Sequence, residues 1–331
     1  MTPRFKTLRH RLEWLALLAL AKGLPLLPRP LCLAVARAVG DLLYCCDFRG
    51  RKVVEANLAI AFEQVYNQQE RRDICKKSYR SMACIFFDLF WSQRMNRKNY
   101  RQYVRFEDHA GLEELQKNGR GIIFAGIHYG NFELGSIFFG LHDVQAMVLS
   151  QDFKNPLIEK VINHIRRASG QSVIKQAHSL LRLYKRVKQG GVIGVLVDLN
   201  LKPTLPCVLI NSFGMETSVT YIHAEIARRA GAPIIPMLCI PDKDWKTYTV
   251  LSAPPIWVSQ EMQMHEAVQR CWDYFETKIR QRPELWLWVY KHWRYRPKDA
   301  SPQDYPFYAN VSSVFEKLRK RQQTESAAQR G

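Results

Sequence analysis

Gly121-Ile122-Ile123-Phe124-Ala125-Gly126-Ile127-His128-Tyr129-Gly130-Asn131-Phe132-Glu133 is the stretch that decides how this chain folds. Its first seven residues form an unbroken apolar run, the pattern of a strand buried on both faces of a parallel sheet. A glycine-containing turn follows, and Asn131 is a good N-cap for a helix over residues 131–140. Strand, turn and helix in that order open a β-α-β unit. His128 then stands at the carboxyl end of a strand, where open α/β sheets place their ligand crevice.

Working outward, similar apolar runs recur at residues 144–149, 192–197 and 233–240. Helical patterns lie between them at 156–170, 178–189 and 218–230, with Gly190 and Gly231 as C-terminal stops, and a further helix spans about 260–281. Upstream, apolar residues recur at three- and four-residue steps from about 30 to 100, which reads as a helical collar. The expected fold class is therefore α/β, with a mixed, largely parallel central sheet flanked by helices and a helical N-terminal extension. The expected division is an N-terminal membrane anchor at 1–30, a catalytic domain at 31–298 (helical 31–105, α/β 106–298) and a basic tail at 299–331 that reads from about 309 as a mobile helix.

The chain has 331 residues, with 49 Lys+Arg against 30 Asp+Glu, a formal charge of +19. A hydrophobic fraction of 47% excludes a disordered chain, and 24% charged residues exclude a multi-span membrane protein. The charge predicts an anionic partner: a nucleic acid, an acidic membrane surface or an acidic protein. The basic residues are spread along the chain without a nucleic-acid-binding motif, so nucleic acid is the disfavoured choice. The 8 cysteines show no zinc spacing, and most sit in apolar runs, so reduced buried thiols are expected and no metal site. At the N-terminus, Arg4, Lys6, Arg9 and Arg11 precede an apolar run from Trp14 to Ala21 that is too short to span a bilayer. Lys22, Arg29, Arg37 and Pro25, Pro28 and Pro30 interrupt the apolar residues beyond it, so a membrane-surface or shallow re-entrant anchor fits better than a span or a signal peptide, with a helix packed on the protein's own core as the structural alternative.

For chemistry, His128 is the first candidate, and Glu133 sits where the reversal into the helix could return its carboxylate to the imidazole. A carboxylate on one ring nitrogen fixes the tautomer and leaves the other nitrogen as a base. Such a pair is half of a Ser-His-Asp triad, with the missing nucleophile supplied by a substrate hydroxyl. A strand-to-helix turn can also carry these residues for purely structural reasons. The aromatic block of Trp286, Trp288, Tyr290, Trp293 and Tyr295, interleaved with cations, reads either as a seat at lipid headgroups or as packed core.

His-x4-Glu after an apolar strand resembles the catalytic motif of the lysophospholipid acyltransferase superfamily, and Gly126 to Glu133 resembles its lipid A biosynthesis late acyltransferase branch. Further elements are similar to that branch in the same order: Arg51 to Leu58, Asn155-Pro156, Arg166, the strand ending at Asp198, Arg228 to Pro236, and Pro283 to Trp288 with Arg296-Pro297. They cover roughly residues 8 to 298. The resemblance implies a glycerolipid acyltransferase-like fold and an acyltransferase at the cytoplasmic face of a bacterial inner membrane. It implies His128 as general base with Glu133 as its orienting partner, and Arg166, Asp198, Asn131 and Gly130 as substrate-binding residues. The implied donor is acyl carrier protein or acyl-CoA, the acceptor a glycolipid hydroxyl, with membrane lipids as surroundings and no cofactor, metal or nucleic acid. Departures at Leu199, Ile222 and Trp288 to His292 leave the acceptor open between a lipid A precursor and another glycolipid or lysolipid.

Overall fold

The computed structural model describes residues 3–150, 154–175 and 179–328. Four helices come first: α1 (Pro3–Gly23), α2 (Arg29–Cys46), α3 (Phe48–Phe62) and α4 (Gln68–Trp91). Two of their starts have a local cause. Asp47 caps α3, and Asn67 with Glu70 forms a capping box at α4, satisfying backbone N–H groups that have no partner within the helix. Then β1 (Val104–Glu107), α5 (Leu112–Lys117), β2 (Ile122–Gly126), α6 (Phe132–Leu141), β3 (Ala146–Ser150), α7 (Pro156–Ala168), β4 (Ser172–Lys175), α8 (Leu180–Lys188) and β5 (Val192–Leu196) alternate. They are followed by β6 (Cys207–Ser212), β7 (Met215–Thr220), α9 (Ile222–Ala230), β8 (Ile234–Pro241), β9 (Tyr248–Ser252), α10 (Met264–Gln281), the short pair β10 (Tyr295–Arg296) and β11 (Asn310–Val311), and α11 (Ser313–Ala328).

The main sheet has 7 strands in the order β1-β9-β8-β2-β5-β3-β4. All its neighbours are parallel except β8 and β9, so the expectation of a mixed, largely parallel sheet holds. The steps from β2 through α6 to β3 and through α7 to β4 move one way, and the step through α8 to β5 returns. Right-handed crossovers therefore put α6 and α7 on one face and α8 on the other. The N-terminal helices add a layer to the first face, α1 against α7 and α4 against α6, while α9 packs beside α8. Central strand residues such as Ile122, Ile123 and Ala125 are fully buried because both faces are covered.

Three expectations change. The helix expected at 218–230 begins at Ile222, because Ser218, Val219 and Thr220 belong to β7 and pair with Leu209, Val208 and Cys207 of β6. The helix expected from residue 178 starts, within the described residues, at Leu180, and its first expected position lies outside them. The basic tail is docked rather than mobile. Phe315 of α11 is fully buried, Arg319 pairs with Glu216 at 2.9 Å, and Gln322 makes both backbone hydrogen bonds of Leu209. All 8 cysteines are free; Cys45 and Cys46 are exposed and the other six buried. No helix among the described residues is long and apolar enough to cross a membrane.

Candidate active site

Strands β2 and β5 are parallel neighbours, with Gly126 opposite Leu196. Two residues beyond each, at the same sheet edge, stand His128 and Asp198. The register alone brings them together: Asp198 Oδ1 accepts from His128 Nδ1 at 2.8 Å, and its Oδ2 accepts the backbone N–H of His128 at 3.0 Å. The indole of Trp286 donates to the same Oδ2 at 3.0 Å. A carboxylate only accepts, so Nδ1 carries the proton and the neutral imidazole has its lone pair on Nε2. Among the described residues nothing hydrogen-bonds Nε2. The imidazole ring lies against the edge of Phe132, centroids 4.9 Å apart, and its side chain remains 17% exposed, whereas that of Asp198 is 0% exposed.

The sequence reading put Glu133 on the imidazole, and the structure corrects this. Glu133 lies in the first turn of α6 and directs its carboxylate to Arg166 of α7, whose Nε and Nη2 both donate to it. Bidentate pairing fixes both groups. Helix geometry is the reason: the first turn of α6 faces α7, its neighbour on the same side of the sheet, while the imidazole faces β5. Arg166 is accordingly not a solvated helix residue but the partner of Glu133, and Asp198 is the group hydrogen-bonded to the imidazole. Glu133 still acts on the imidazole through space. Burial alone would depress His128, but the charge and hydrogen bond of Asp198, joined by the charge of Glu133, raise it above the ordinary histidine value. Burial works against the Asp198 carboxylate too, yet His128 holds it below its ordinary range, with smaller help from His292 and Trp286.

Gly130 and Asn131 build the turn between strand and helix. Gly130 has φ +57°, and a Cβ there would meet the carbonyl oxygen of Cys239 at 2.2 Å, so no other residue fits. Its N–H donates to Leu285 O at 3.0 Å, and that of Asn131 to Cys239 O at 2.7 Å. The Asn131 side chain is fully buried and accepts from the N–H of Leu134 at 3.0 Å, capping α6. Burial likewise settles the aromatic block: Trp286, Trp288 and Trp293 are at most 1% exposed, so they are core and not a headgroup seat. The block backs the site. The N–H of Leu287 donates to His128 O at 3.0 Å, and His292 stacks on Trp286 with centroids 3.8 Å apart. Asn57 of α3 ties this block down by donating to the carbonyls of Trp288 and Tyr290 at 2.7 and 2.8 Å.

Sequence reasoning missed the group behind Asn131. Asp88 of α4, 2% exposed, accepts from Asn131 Nδ2 at 2.8 Å, and also from Tyr248 and Arg29. The signal was present: an acid inside the apolar run Ile85-Phe86-Phe87-Asp88-Leu89-Phe90-Trp91, where an unpaired carboxylate would be costly.

A family model described as bacterial lipid A biosynthesis acyltransferase matches residues 1–295. The chain is 26% identical over 315 residues to the lipid A biosynthesis lauroyltransferase of Escherichia coli K12, an alignment covering 89% of this chain and 97% of that one. It is 23% identical to the lipid A biosynthesis palmitoleoyltransferase of the same organism, covering 88% of this chain and 94% of that one. It is 22% identical to a lipid A biosynthesis acyltransferase of Haemophilus influenzae, covering 92% and 96%. With the match running from the N-terminal helices through the closing aromatic block, the chain belongs to the bacterial lipid A biosynthesis acyltransferase family and is an acyltransferase.

Proposed function

We propose that this enzyme moves a fatty acyl group from a thioester donor, acyl carrier protein or acyl-CoA, to a hydroxyl of a lipid A precursor, with His128 as general base. The observation that carries this reading is the buried Asp198 on His128 Nδ1, which leaves Nε2 as the basic nitrogen of the neutral imidazole. In the forward step the acceptor O–H gives its proton to Nε2 while its oxygen attacks the thioester carbonyl. As the tetrahedral adduct collapses, the C–S bond breaks and the thiolate takes a proton, which the imidazolium can return. Asp198 stabilises the imidazolium between the two transfers. Glu133, fixed by Arg166, adds a second negative charge that favours the same protonated state. The test is a radiolabelled acyl transfer assay with full-length protein: His128→Ala is expected to abolish nearly all turnover, and a near-wild-type rate in that variant overturns the assignment.

The apolar outer surface of α1 and α2 supports contact with a bilayer, where an acceptor of this kind resides. Leu8, Leu12 and Leu15 of α1 are 52% to 58% exposed. On α2, Leu31, Ala34, Val35, Ala38, Leu42, Cys45 and Cys46 all face outward, and none is charged. Arg37 and Asp41 of the same helix turn away, to the carbonyl of Asp244 and to Arg80. An uncharged helix face flanked by cations such as Arg9 and Lys22 is suited to lie in a membrane interface. Leu12→Asp together with Leu42→Asp is expected to release the protein from sedimenting anionic vesicles; unchanged sedimentation refutes this placement.

A further inference from the structure

Asp88 belongs to none of the elements that carry the site, yet it is wired to the turn that builds it. It comes from α4, and the groups that grip it come from elsewhere again: Arg29 from the start of α2 and Tyr248 from β9. Both terminal nitrogens of Arg29 are committed, while its buried Nε has no hydrogen-bond partner among the described residues. Its Nη1 donates to Asp88, its Nη2 to Trp245 O at 2.8 Å and to the Tyr248 hydroxyl at 2.7 Å, and its guanidinium lies 4.7 Å from the centre of the Trp91 ring. Arg29 is one of the charges that break the apolar N-terminal sequence, and here it serves the interior. Burial pushes the Asp88 carboxyl up, and the adjoining guanidinium is the main force opposing that.

What Asp88 does with this hold is grip one amide. Asn131 has two ends: Nδ2 donates to Asp88 Oδ2 at 2.8 Å, and Oδ1 accepts from Leu134 N–H at 3.0 Å. With the Nδ2 end fixed, the amide cannot rotate, so Oδ1 stays on the first turn of α6, the turn that carries Glu133. On the other side of Asn131, Gly130 and Tyr129 lead directly to His128. We propose that Asp88, held by Arg29 and Tyr248, is a positioning residue for the acyl transfer: through the Asn131 amide it sets the geometry between His128 and Glu133. This rests on the reading of His128 as the base, and the experiment separates the two. A misplacement of about 1 Å in such a constellation costs about 10²-fold in rate, so loss of the anchor should appear in kcat rather than in substrate affinity.

The test uses four full-length variants, each with kcat, KM for donor and acceptor, and a thermal midpoint. The double variant Arg29→Met with Asp88→Leu replaces the charge pair by apolar groups, a change that often leaves stability intact. It should keep a midpoint close to wild type while kcat falls about 10- to 100-fold and each KM stays within about 3-fold. Asp88→Asn keeps an oxygen for Asn131 but strands Arg29. It should lower the midpoint and yet retain most of the kcat that the double variant loses. Asn131→Ser keeps a capping oxygen and removes the donor to Asp88, so it should reproduce the kcat loss without touching the ion pair. Wild-type kcat in the double variant or in Asn131→Ser overturns the proposal, as does an Asp88→Asn enzyme that is folded but as slow as the double variant. His128→Ala is the fourth arm: if it is inactive while the double variant is fully active, only the positioning role fails, and if it is active, the assignment of the base fails beneath it.

Discussion

Two carboxylates, Asp198 and Asp88, are each almost wholly shielded from water and each hydrogen-bonded to a cationic or imidazole side chain, but they are built for different ends. At Asp198 the partner is a histidine whose second nitrogen has no hydrogen-bond partner among the described residues and whose side chain stays partly exposed. At Asp88 both carboxylate oxygens are taken: they accept from Arg29, Tyr248 and Asn131, and Nη2 of Arg29 reaches two further acceptors, leaving only its Nε without a partner among the described residues. Imidazole can gain and lose a proton near neutral pH, and guanidinium cannot. The pair that ends at the sheet edge is thus fitted for proton transfer, and the pair sealed between α2, α4 and β9 for holding shape.

That contrast breaks most sharply under truncation of the open pair. His128→Ala should lower kcat by about 10² to 10⁴ fold, the range for loss of a general base, with a smaller fall in unfolding midpoint than truncation of the sealed pair, since Asp198 keeps the backbone N–H of residue 128 and the Trp286 indole. Turnover measured at saturating donor and acceptor, beside a thermal melt, checks both halves. Equal losses of activity and stability would erase the distinction between the two sites.

Truncation of the sealed pair should show the reverse. Arg29→Met leaves Asp88 as an uncompensated buried acid, and breaking such a pair costs about 3 to 5 kcal/mol. Urea unfolding reads this directly, as a fall in midpoint at unchanged slope. A variant as stable as the wild type would mean that Asp88 is protonated and needs no cation.

The sequence made the open pair partly legible and the sealed one hardly at all. The apolar run ending at His128 and the cap at Asn131 exposed the strand-turn-helix unit, because a doubly covered strand and an N-cap are both written locally. The run ending at Asp198 was equally visible. What local reading cannot supply is that β2 and β5 are neighbours in register, and without that adjacency Glu133, nearer in sequence, looks like the natural partner. The aromatic block stayed open between headgroup seat and packed core for the same reason: Trp286, Trp288 and Trp293 are interspersed with polar residues, and the packing of α10 and the carbonyl contacts of Asn57 turn them inward. Strands β1, β4 and β9 went unread because they are short and interspersed with polar residues, whereas β6 opens on the apolar run Cys207 to Ile210 and was passed over.

A third contrast concerns histidines. His223, in α9 against the sheet, is fully buried, and among the described residues neither of its ring nitrogens has a hydrogen-bond partner. Burial therefore pushes it down to about 4. Below pH 6.5 the unfolded chain takes up a proton there that the folded protein refuses until about pH 4. Its contribution to stability is lost across that window, by up to about 3 kcal/mol at the acid end. Unfolding curves at neutral and mildly acidic pH should show the loss, and His223→Leu should make it smaller. An unaltered pH dependence in that variant would shift the burden to His292, which burial also lowers to about 4.

His128 should behave in the opposite sense, and this gives the finest test of the open pair. Its folded value is raised above the ordinary 6.5, burial being outweighed by Asp198 and Glu133. As a base it must be neutral, so kcat/KM should climb with pH along a limb centred above 6.5. Its stability contribution runs against this: the proton is held more tightly in the folded state, so the contribution is complete below 6.5 and disappears as pH rises through the folded value. Asp198→Asn removes the charge that holds the value up, and the limb should move to lower pH. The same change lets the new amide donate to Nδ1, which would place the ring proton on Nε2, so the plateau should fall as well. A downward shift of the limb with a lowered plateau is the signature of an orienting carboxylate. A limb that stays in place when Asp198 is neutralised, and moves instead in Glu133→Gln, would return Glu133 to the role that sequence proximity first suggested for it.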